Sequence, residues 1–177
     1  MRAHVPDTQM IEKNLRKNFI INLLLVFSIF LLDRLSKIYV IYLDKKFSGS
    51  EIFSAKFLNI HLFWNEGIAF GLFSFNEKYL YNILTFFILI IILVIFFMII
   101  KSDGFKKHPL LMILGGAIGN FFDRIFYKAV PDFIDFHVGD FHWFIFNIAD
   151  VFITLGVILM IILEFTDINK EQKIWNI

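Results

Sequence analysis

The chain has 177 residues and a formal net charge of +1, and 58% of its residues are hydrophobic. A soluble domain of this size has no interior that can bury so much apolar surface, so this class of protein is excluded. The absence of cysteine excludes disulfides and thiol chemistry, and there is no basic stripe that nucleic acid would bind.

Four stretches of the chain are long and apolar enough to cross a bilayer, which takes about 20 residues of helix. They cover approximately residues 19–43, 79–100, 109–127 and 144–165. We therefore predict an all-α integral membrane protein with four transmembrane helices, in a single membrane-embedded domain over residues 1–177. The first stretch contains charges and lacks a small-residue cleavage site, which favours a retained helix over a signal peptide.

The connection over residues 44–77 has a local pattern of its own. Apolar side chains alternate from Leu58 to Trp64, which predicts a short strand. Its many aromatic residues are typical of a segment at the outer membrane face, although an ordinary packed loop has the same composition. We predict a small β-like extracytoplasmic segment between the first and second spans.

The positions of lysine and arginine predict the orientation of the spans. The N-terminal segment, the connection between spans two and three and the C-terminal tail share one side, because the number of spans is even. These short segments carry more of the basic residues than the two longer connections on the other side. We therefore expect both termini in the cytoplasm.

Charged residues interrupt the first span, where each costs at least about 2.5–3.5 kcal/mol at mid-bilayer. Asp33 and Lys37 are four residues apart on one helix face, which favours an ion pair that braces the bundle. Ser36 lies next to Lys37 but points about 100° away from it, so a Ser–Lys catalytic pair is excluded.

The third span contains the sequence GGAIGNFFDRIF. Gly115 and Gly119 are typical of a face that another helix approaches closely. Asn120 and Arg124 share a helix face, and their chemistry alone leaves a structural hydrogen-bond network and a functional role equally open.

The fourth span and the connection before it contain two aspartates of interest. Asn147, Asp150 and Thr154 form a polar stripe on an otherwise apolar helix, with Asp150 about two turns inside the outer end. The sequence PDFID places Asp132 in the connection. Because spans three and four are antiparallel neighbours, we expect Asp132 and Asp150 to meet near the outer membrane boundary.

Two neighbouring carboxyl groups share a proton, because both cannot ionise easily at close range. One then acts as a base toward water while the other, protonated, acts on a carbonyl oxygen, as in aspartic peptidases. The five histidines form no HExxH pair, and we expect no metal ion and no cofactor. From chemistry alone, a proton-coupled transporter and a non-catalytic scaffold remain open, although no internal repeat typical of transporters is visible.

Four sequence blocks resemble those of lipoprotein signal peptidases, also called signal peptidase II. The blocks are DRLSK (33–37), NEGIAFGLF (65–73), GGAIGNFFDR (115–124) and the pair VPDFIDFHV with FNIADVFI (130–138 and 146–153). Each block alone is weak, but four in this order, with the expected spans between them, are specific.

The resemblance implies a catalytic pair and a set of supporting residues. Asp132 and Asp150 fall on the family's catalytic aspartates. The supporting or substrate-binding positions are Asn65, Asn120, Arg124, Asn147, Asp33 and Lys37. Asp123 and Asp135 match family positions without the same claim to catalysis.

The resemblance also implies a reaction and a location. The expected reaction is removal of signal peptides from bacterial prolipoproteins, with the cut before the diacylglyceryl-modified cysteine of the lipobox. The expected partners are this lipid-modified substrate and the lipid bilayer. We expect a monomer in the bacterial cytoplasmic (inner) membrane, with the active site near its outer face.

Overall fold

The computed structural model describes residues 8–67 and 78–175, which form four long helices and a small antiparallel sheet. The helices are α1 (Thr8–Lys46), α2 (Lys78–Lys101), α3 (Lys107–Phe126) and α4 (Ile148–Trp175). The strands are β1 (Phe53–Ser54), β2 (Leu58–Asn65), β3 (Val130–Val138) and β4 (Phe141–Phe146). A short 3-10 turn, Gly104–Lys106, leads into α3.

Each of the four helices contains a segment long and apolar enough to cross a membrane. The segments are Leu15–Lys46, Tyr79–Lys101, Gly104–Phe126 and Ile148–Thr166. In the apolar 18-residue stretch of the third segment, 61% of the residues are buried, against 11–17% in the corresponding stretches of the other three segments. Helix α3 is therefore the centre of the bundle, and it contacts the other three helices. The four predicted membrane helices are thus present as helices of sufficient length, but the fold is mostly helical rather than all-α, because it also contains the small sheet.

Glycines allow α1 to approach α3 closely. A Cβ atom on Gly115 would lie 2.9 Å from the Cβ of Ile29, and one on Gly119 would lie 2.6 Å from Oδ2 of Asp33. Since Cβ atoms are not found at such distances, α1 reaches this position only against glycine. The predicted packing role of Gly115 and Gly119 is confirmed.

The sheet has the strand order β1-β2-β3-β4, and all neighbours are antiparallel. Strand β2 confirms the strand predicted in the connection after the first span. It pairs with β3, so that Phe63 lies opposite Asp132 and Asn65 lies opposite Val130. A segment from before α2 and a segment from after α3 thus meet in one sheet at one end of the bundle.

The hairpin formed by β3 and β4 was not predicted, and it corrects the start of the fourth span. The sequence FHWFIF is strand β4, and α4 begins at Ile148 rather than at residue 144. A short apolar run before an apolar helix has no periodicity that separates strand from helix. Asp150 accordingly lies in the first turn of α4, not two turns inside it.

Candidate active site

Asp132 and Asp150 lie together where the sheet meets the helices. Asp132 is in β3 and only 2% exposed, whereas Asp150 is partly buried in the first turn of α4. Asn147 donates to both: its side-chain amide bonds Oδ1 of Asp132 at 2.6 Å, and its backbone N–H bonds Oδ2 of Asp150 at 3.2 Å. A single residue therefore bridges the two carboxyl groups, which we call the aspartate pair.

Asn147 is the N-cap of α4 rather than part of a helical stripe. Its Oδ1 accepts a hydrogen bond from the backbone N–H of Asp150 at 3.1 Å, while Asp150 accepts the backbone N–H of Asn147 in return. This reciprocal arrangement is a capping box, which satisfies backbone donors at the start of the helix. Local folding of residues 147–150 thus fixes the carboxyl group of Asp150 in place.

Asn65 holds the second oxygen of Asp132. Its side-chain amide donates to Oδ2 of Asp132 at 2.9 Å, and its own Oδ1 accepts the backbone N–H of Gly67, also at 2.9 Å. The turn after β2 therefore fixes which way the amide points. The pairing of β2 with β3 brings Asn65 to this position. Residues 68–73 of the NEGIAFGLF block lie outside the described residues.

Asn120 holds the second oxygen of Asp150. Its side-chain amide donates to Oδ1 of Asp150 at 2.8 Å. Its own Oδ1 accepts from Nζ of Lys37 at 2.9 Å and from the side chain of Asn147 at 3.2 Å. An ammonium group can only donate, so Lys37 fixes the amide of Asn120 with its NH₂ toward Asp150.

Arg124 ties the turn after β2 to helix α3. Its guanidinium donates to the backbone oxygen of Asn120 at 3.1 Å and to that of Gly67 at 3.2 Å. It is buried, with 6% exposure, and its positive charge acts on both members of the aspartate pair. The structure thus brings the turn that orients Asn65 against the helix that carries Asn120.

A buried ion cluster lies behind the aspartate pair and consists of Asp33, Arg34, Lys37 and Asp123. Nζ of Lys37 lies 2.8 Å from Asp33 and 2.7 Å from Asp123, which confirms the predicted ion pair between Asp33 and Lys37. The guanidinium of Arg34 grips both oxygens of Asp123 and also bonds Asp33 at 2.8 Å.

The sequence analysis missed the roles of Arg34 and Asp123. One signal was available: the Asp33–Lys37 pair is already neutral, so a further cation in the same span requires its own carboxylate. The two spans meet at Gly119, which is one turn from Asp123 on α3. That placement, however, depends on the relative rotation of two helices, which the sequence pattern leaves undetermined.

The burial of Asp132 changes its acid strength. Loss of solvation raises its pKa from the ordinary 3.8 to about 7, and repulsion from Asp150 acts in the same direction. The hydrogen bonds from Asn65 and Asn147 and the charge of Lys37 oppose the rise. A carboxyl group with this pKa exists in both protonation states near neutral pH, as a shared proton requires.

An apolar cavity of about 370 Å³ opens beside Asp150. It is lined by side chains from the β3–β4 hairpin and from α4, namely Phe136, Trp143, Phe144, Phe146, Val151, Thr154 and Leu155. A hydrophobic ligand can therefore lie directly against one member of the aspartate pair.

Asp135 is in the same strand as Asp132, but its described hydrogen bond is with a histidine rather than with the residues that hold the aspartate pair. It is 1% exposed, and its Oδ2 lies 2.7 Å from Nδ1 of His142 in β4. Within residues 8–67 and 78–175, no group of three or more His, Asp or Glu side chains is arranged to hold a metal ion.

Comparisons with known proteins agree on one family. Residues 25–166 match the family described as Signal peptidase (SPase) II. The chain is 47% identical over 157 residues to the lipoprotein signal peptidase of Pelagibacter ubique (strain HTCC1062), covering 89% of this chain and 95% of that one. For the lipoprotein signal peptidase of Anaplasma marginale (strain Florida), the identity is 39% over 150 residues, with coverage of 84% and 86%.

A solved structure has a similar fold. It is described as a bacterial membrane enzyme, solved by the in meso method at 2.3 Å resolution. The TM-score is 0.66 at 28% identity, and the match covers 84% of this chain and 90% of that chain. The chain belongs to the signal peptidase II family and is a protease of the membrane-embedded kind.

Proposed function

We propose that this protein is an aspartic endopeptidase that removes the signal peptide from bacterial prolipoproteins. The proposed cut lies before the diacylglyceryl-modified cysteine of the lipobox. The observation that carries the proposal is the aspartate pair, bridged by Asn147 and placed beside an apolar cavity. The substrate class is supported by the relatives, which are named lipoprotein signal peptidases.

The chemistry uses one proton shared between Asp132 and Asp150. The ionised carboxyl takes a proton from water, whose oxygen attacks the carbonyl carbon of the scissile amide. The protonated carboxyl donates to the carbonyl oxygen as this becomes tetrahedral. The C–N bond then breaks as the leaving nitrogen receives the proton that was taken from water, and the proton on the former carbonyl oxygen returns to the aspartate pair. No covalent intermediate with the enzyme is needed.

The supporting residues act by holding the two acids in position. Three amide side chains, those of Asn65, Asn120 and Asn147, donate to the aspartate pair. Within the part of the chain that the structure describes, each of the four carboxyl oxygens accepts a hydrogen bond from an asparagine. Reacting groups fixed in this way need less reorganisation when the substrate is bound.

The cavity beside Asp150 supports a substrate that arrives through the bilayer. A signal helix and the acyl chains of a diacylglyceryl group are both apolar, as are most of the cavity's lining residues. We propose a monomer as the working unit. The partners we propose are thus the lipid-modified prolipoprotein and the bilayer that delivers it.

We propose a location in the bacterial cytoplasmic (inner) membrane, and the distribution of basic residues supports both termini in the cytoplasm. The connection from α2 to α3 carries Lys101, Lys106 and Lys107. The aspartate pair lies near the opposite ends of these helices, beyond the C-terminal half of α3 and at the start of α4. By the positive-inside rule, the pair faces the outer side.

The test is cleavage of a diacylglyceryl-modified prolipoprotein by the purified full chain and by single variants. We expect Asp132→Asn and Asp150→Asn each to lower the cleavage rate by about 10²–10⁴-fold or more, because each removes one half of the acid–base pair. Asp140→Asn is the matched control, since Asp140 is exposed in the turn between β3 and β4. Cleavage at the wild-type rate by either variant of the pair would overturn its assignment.

A further inference from the structure

The buried ion cluster contains equal numbers of positive and negative groups. Asp33, Lys37 and Asp123 have no exposed surface, and Arg34 is 7% exposed. An unpaired charge at such a site is costly, so the balance between the two signs determines which protonation states are stable. Without Arg34, Lys37 alone would face two carboxylates.

Arg34 is held rigidly in the cluster. Its two terminal nitrogens bond both oxygens of Asp123, and one of them also bonds Asp33. The centre of the guanidinium lies 5.0 Å from the ring of Phe122 and 5.9 Å from that of Phe30, within the range of cation–π attraction. The planar fork of arginine suits this two-point grip on a carboxylate, which lysine cannot reproduce.

Lys37 connects the ion cluster to the aspartate pair. Its ammonium group has three N–H donors, and it lies within hydrogen-bond distance of Asp33, Asp123 and Oδ1 of Asn120. Asn120 in turn donates to Asp150. When Arg34 holds Asp123, Lys37 keeps one donor directed at Asn120.

The charges around the aspartate pair can be added up. The groups that face it or its neighbours are Asp33, Arg34 and Lys37 from α1, the phenol of Tyr81 from α2, and Asp123 and Arg124 from α3. Glu66, after β2, is exposed. With Tyr81 neutral, these groups around the aspartate pair and the pair itself sum to zero when the pair carries one negative charge, which is the state that the proposed mechanism uses.

We propose that Arg34 is a positioning residue that sets the pH range in which the aspartate pair holds a single proton. Arg34 neutralises Asp123, which leaves the charge of Lys37 available to the pair through Asn120. This inference rests on the proposed peptidase function. If Arg34 is replaced by a neutral residue, the groups counted above sum to zero only when both carboxyl groups of the pair are protonated. Ionisation of the pair then requires a higher pH.

The experiment measures kcat/KM for a diacylglyceryl-modified prolipoprotein against pH, with the full chain in detergent or vesicles. For Arg34→Gln we expect both limbs of the bell-shaped profile to move to higher pH by roughly half a unit or more. Arg34→Lys keeps the positive charge but loses the two-point contact with Asp123. We therefore expect its pH profile to stay at the wild-type pH values, with a lower maximal rate. Arg16→Gln removes an exposed charge from the same helix and should leave the profile unchanged.

Charge compensation supplies the decisive comparison. The double variant Arg34→Gln with Asp123→Asn restores neutrality, and its profile should return to the wild-type position even if the maximum is low. Asp123→Asn alone should move the profile to lower pH. These two variants also keep the inference testable if Arg34→Gln does not fold.

The inference is overturned if Arg34→Gln lowers the rate equally at every pH. It is also overturned if the pH profile of the double variant is shifted as far as that of Arg34→Gln alone. Either result would assign Arg34 to structural support alone. If the wild-type chain does not cleave the prolipoprotein at all, the proposed function fails instead, so the two failures are distinct.

Discussion

The carboxyl group of Asp33 in α1 accepts a hydrogen bond from the backbone N–H of Ala149, the second residue of α4, at 3.1 Å. The first N–H groups of a helix have no partner within the helix, and a negative charge there is favourable. Asp33 therefore caps a different helix from its own, directly beside Asp150. The same carboxyl group belongs to the buried ion cluster, so Asp33 links the cluster directly to the start of α4.

Replacing Asp33 tests how much this link between the ion cluster and α4 stabilises the protein. Asp33→Ala leaves two buried cations facing one carboxylate and leaves the N–H of Ala149 unpaired. We expect a loss of about 3–5 kcal/mol in the free energy of unfolding, measured by denaturation in detergent. Asp103→Ala is the control, because Asp103 is fully exposed and its only described ion pair spans 4.0 Å. Equal stability of the two variants would show that Asp33 contributes nothing to the free energy of unfolding.

Asn147 has two separable tasks, and two substitutions distinguish them. Serine is a good N-cap but has no amide to reach Asp132, whereas alanine has neither group. We expect Asn147→Ala to lose about 1 kcal/mol of stability and Asn147→Ser to lose much less. Both should lower the cleavage rate by about 10–100-fold, the worth of one hydrogen bond to a charged group. Full activity of Asn147→Ser would contradict the bridging role.

The raised pKa of Asp132 predicts how stability depends on pH. Its value near 7 in the folded protein exceeds the ordinary 3.8. The folded state therefore binds more protons than the unfolded state between about pH 4 and 7, and stability falls as the pH rises through this window, by at most about 4 kcal/mol. Asp132→Asn should flatten this dependence in detergent melts, while Asp140→Asn should follow the wild type. A variant slope as steep as that of the wild type would assign the pH dependence to other groups.

Filling the apolar cavity tests the proposed path of the substrate. Leu155 lines the cavity on α4, and tryptophan at this position would occupy much of its volume. We expect Leu155→Trp to raise KM for the lipid-modified substrate several-fold, with a smaller effect on kcat. Ile158→Trp is the control, since Ile158 is exposed on the same helix and does not line this cavity. An unchanged KM would place the substrate elsewhere.

Much of this arrangement is predictable because its signals are local. The uninterrupted apolar run of α2 and the alternation in β2 each depend on neighbouring residues alone. Polar residues inside apolar spans are costly, so the positions of Lys37, Asn120 and Asp150 alone indicate that each requires a polar partner, although not which one. Their burial and mutual contacts agree with that reasoning.

The parts that escaped prediction depend on contacts between distant segments. Strand β4 is a strand because β3 pairs with it, and its own apolar sequence reads equally well as the beginning of α4. The grip of Arg34 on Asp123 joins residues 89 positions apart and depends on how α1 and α3 are rotated. No spacing rule within a single helix encodes that rotation.

The capping box at the start of α4 has a consequence for heat inactivation. Because the side chains of Asn147 and Asp150 that close the first turn also belong to the site, fraying of that turn disassembles the site. Helix ends open at lower free energy than the body of a bundle. Peptidase activity should therefore vanish during a slow temperature ramp while circular dichroism still reports an intact bundle.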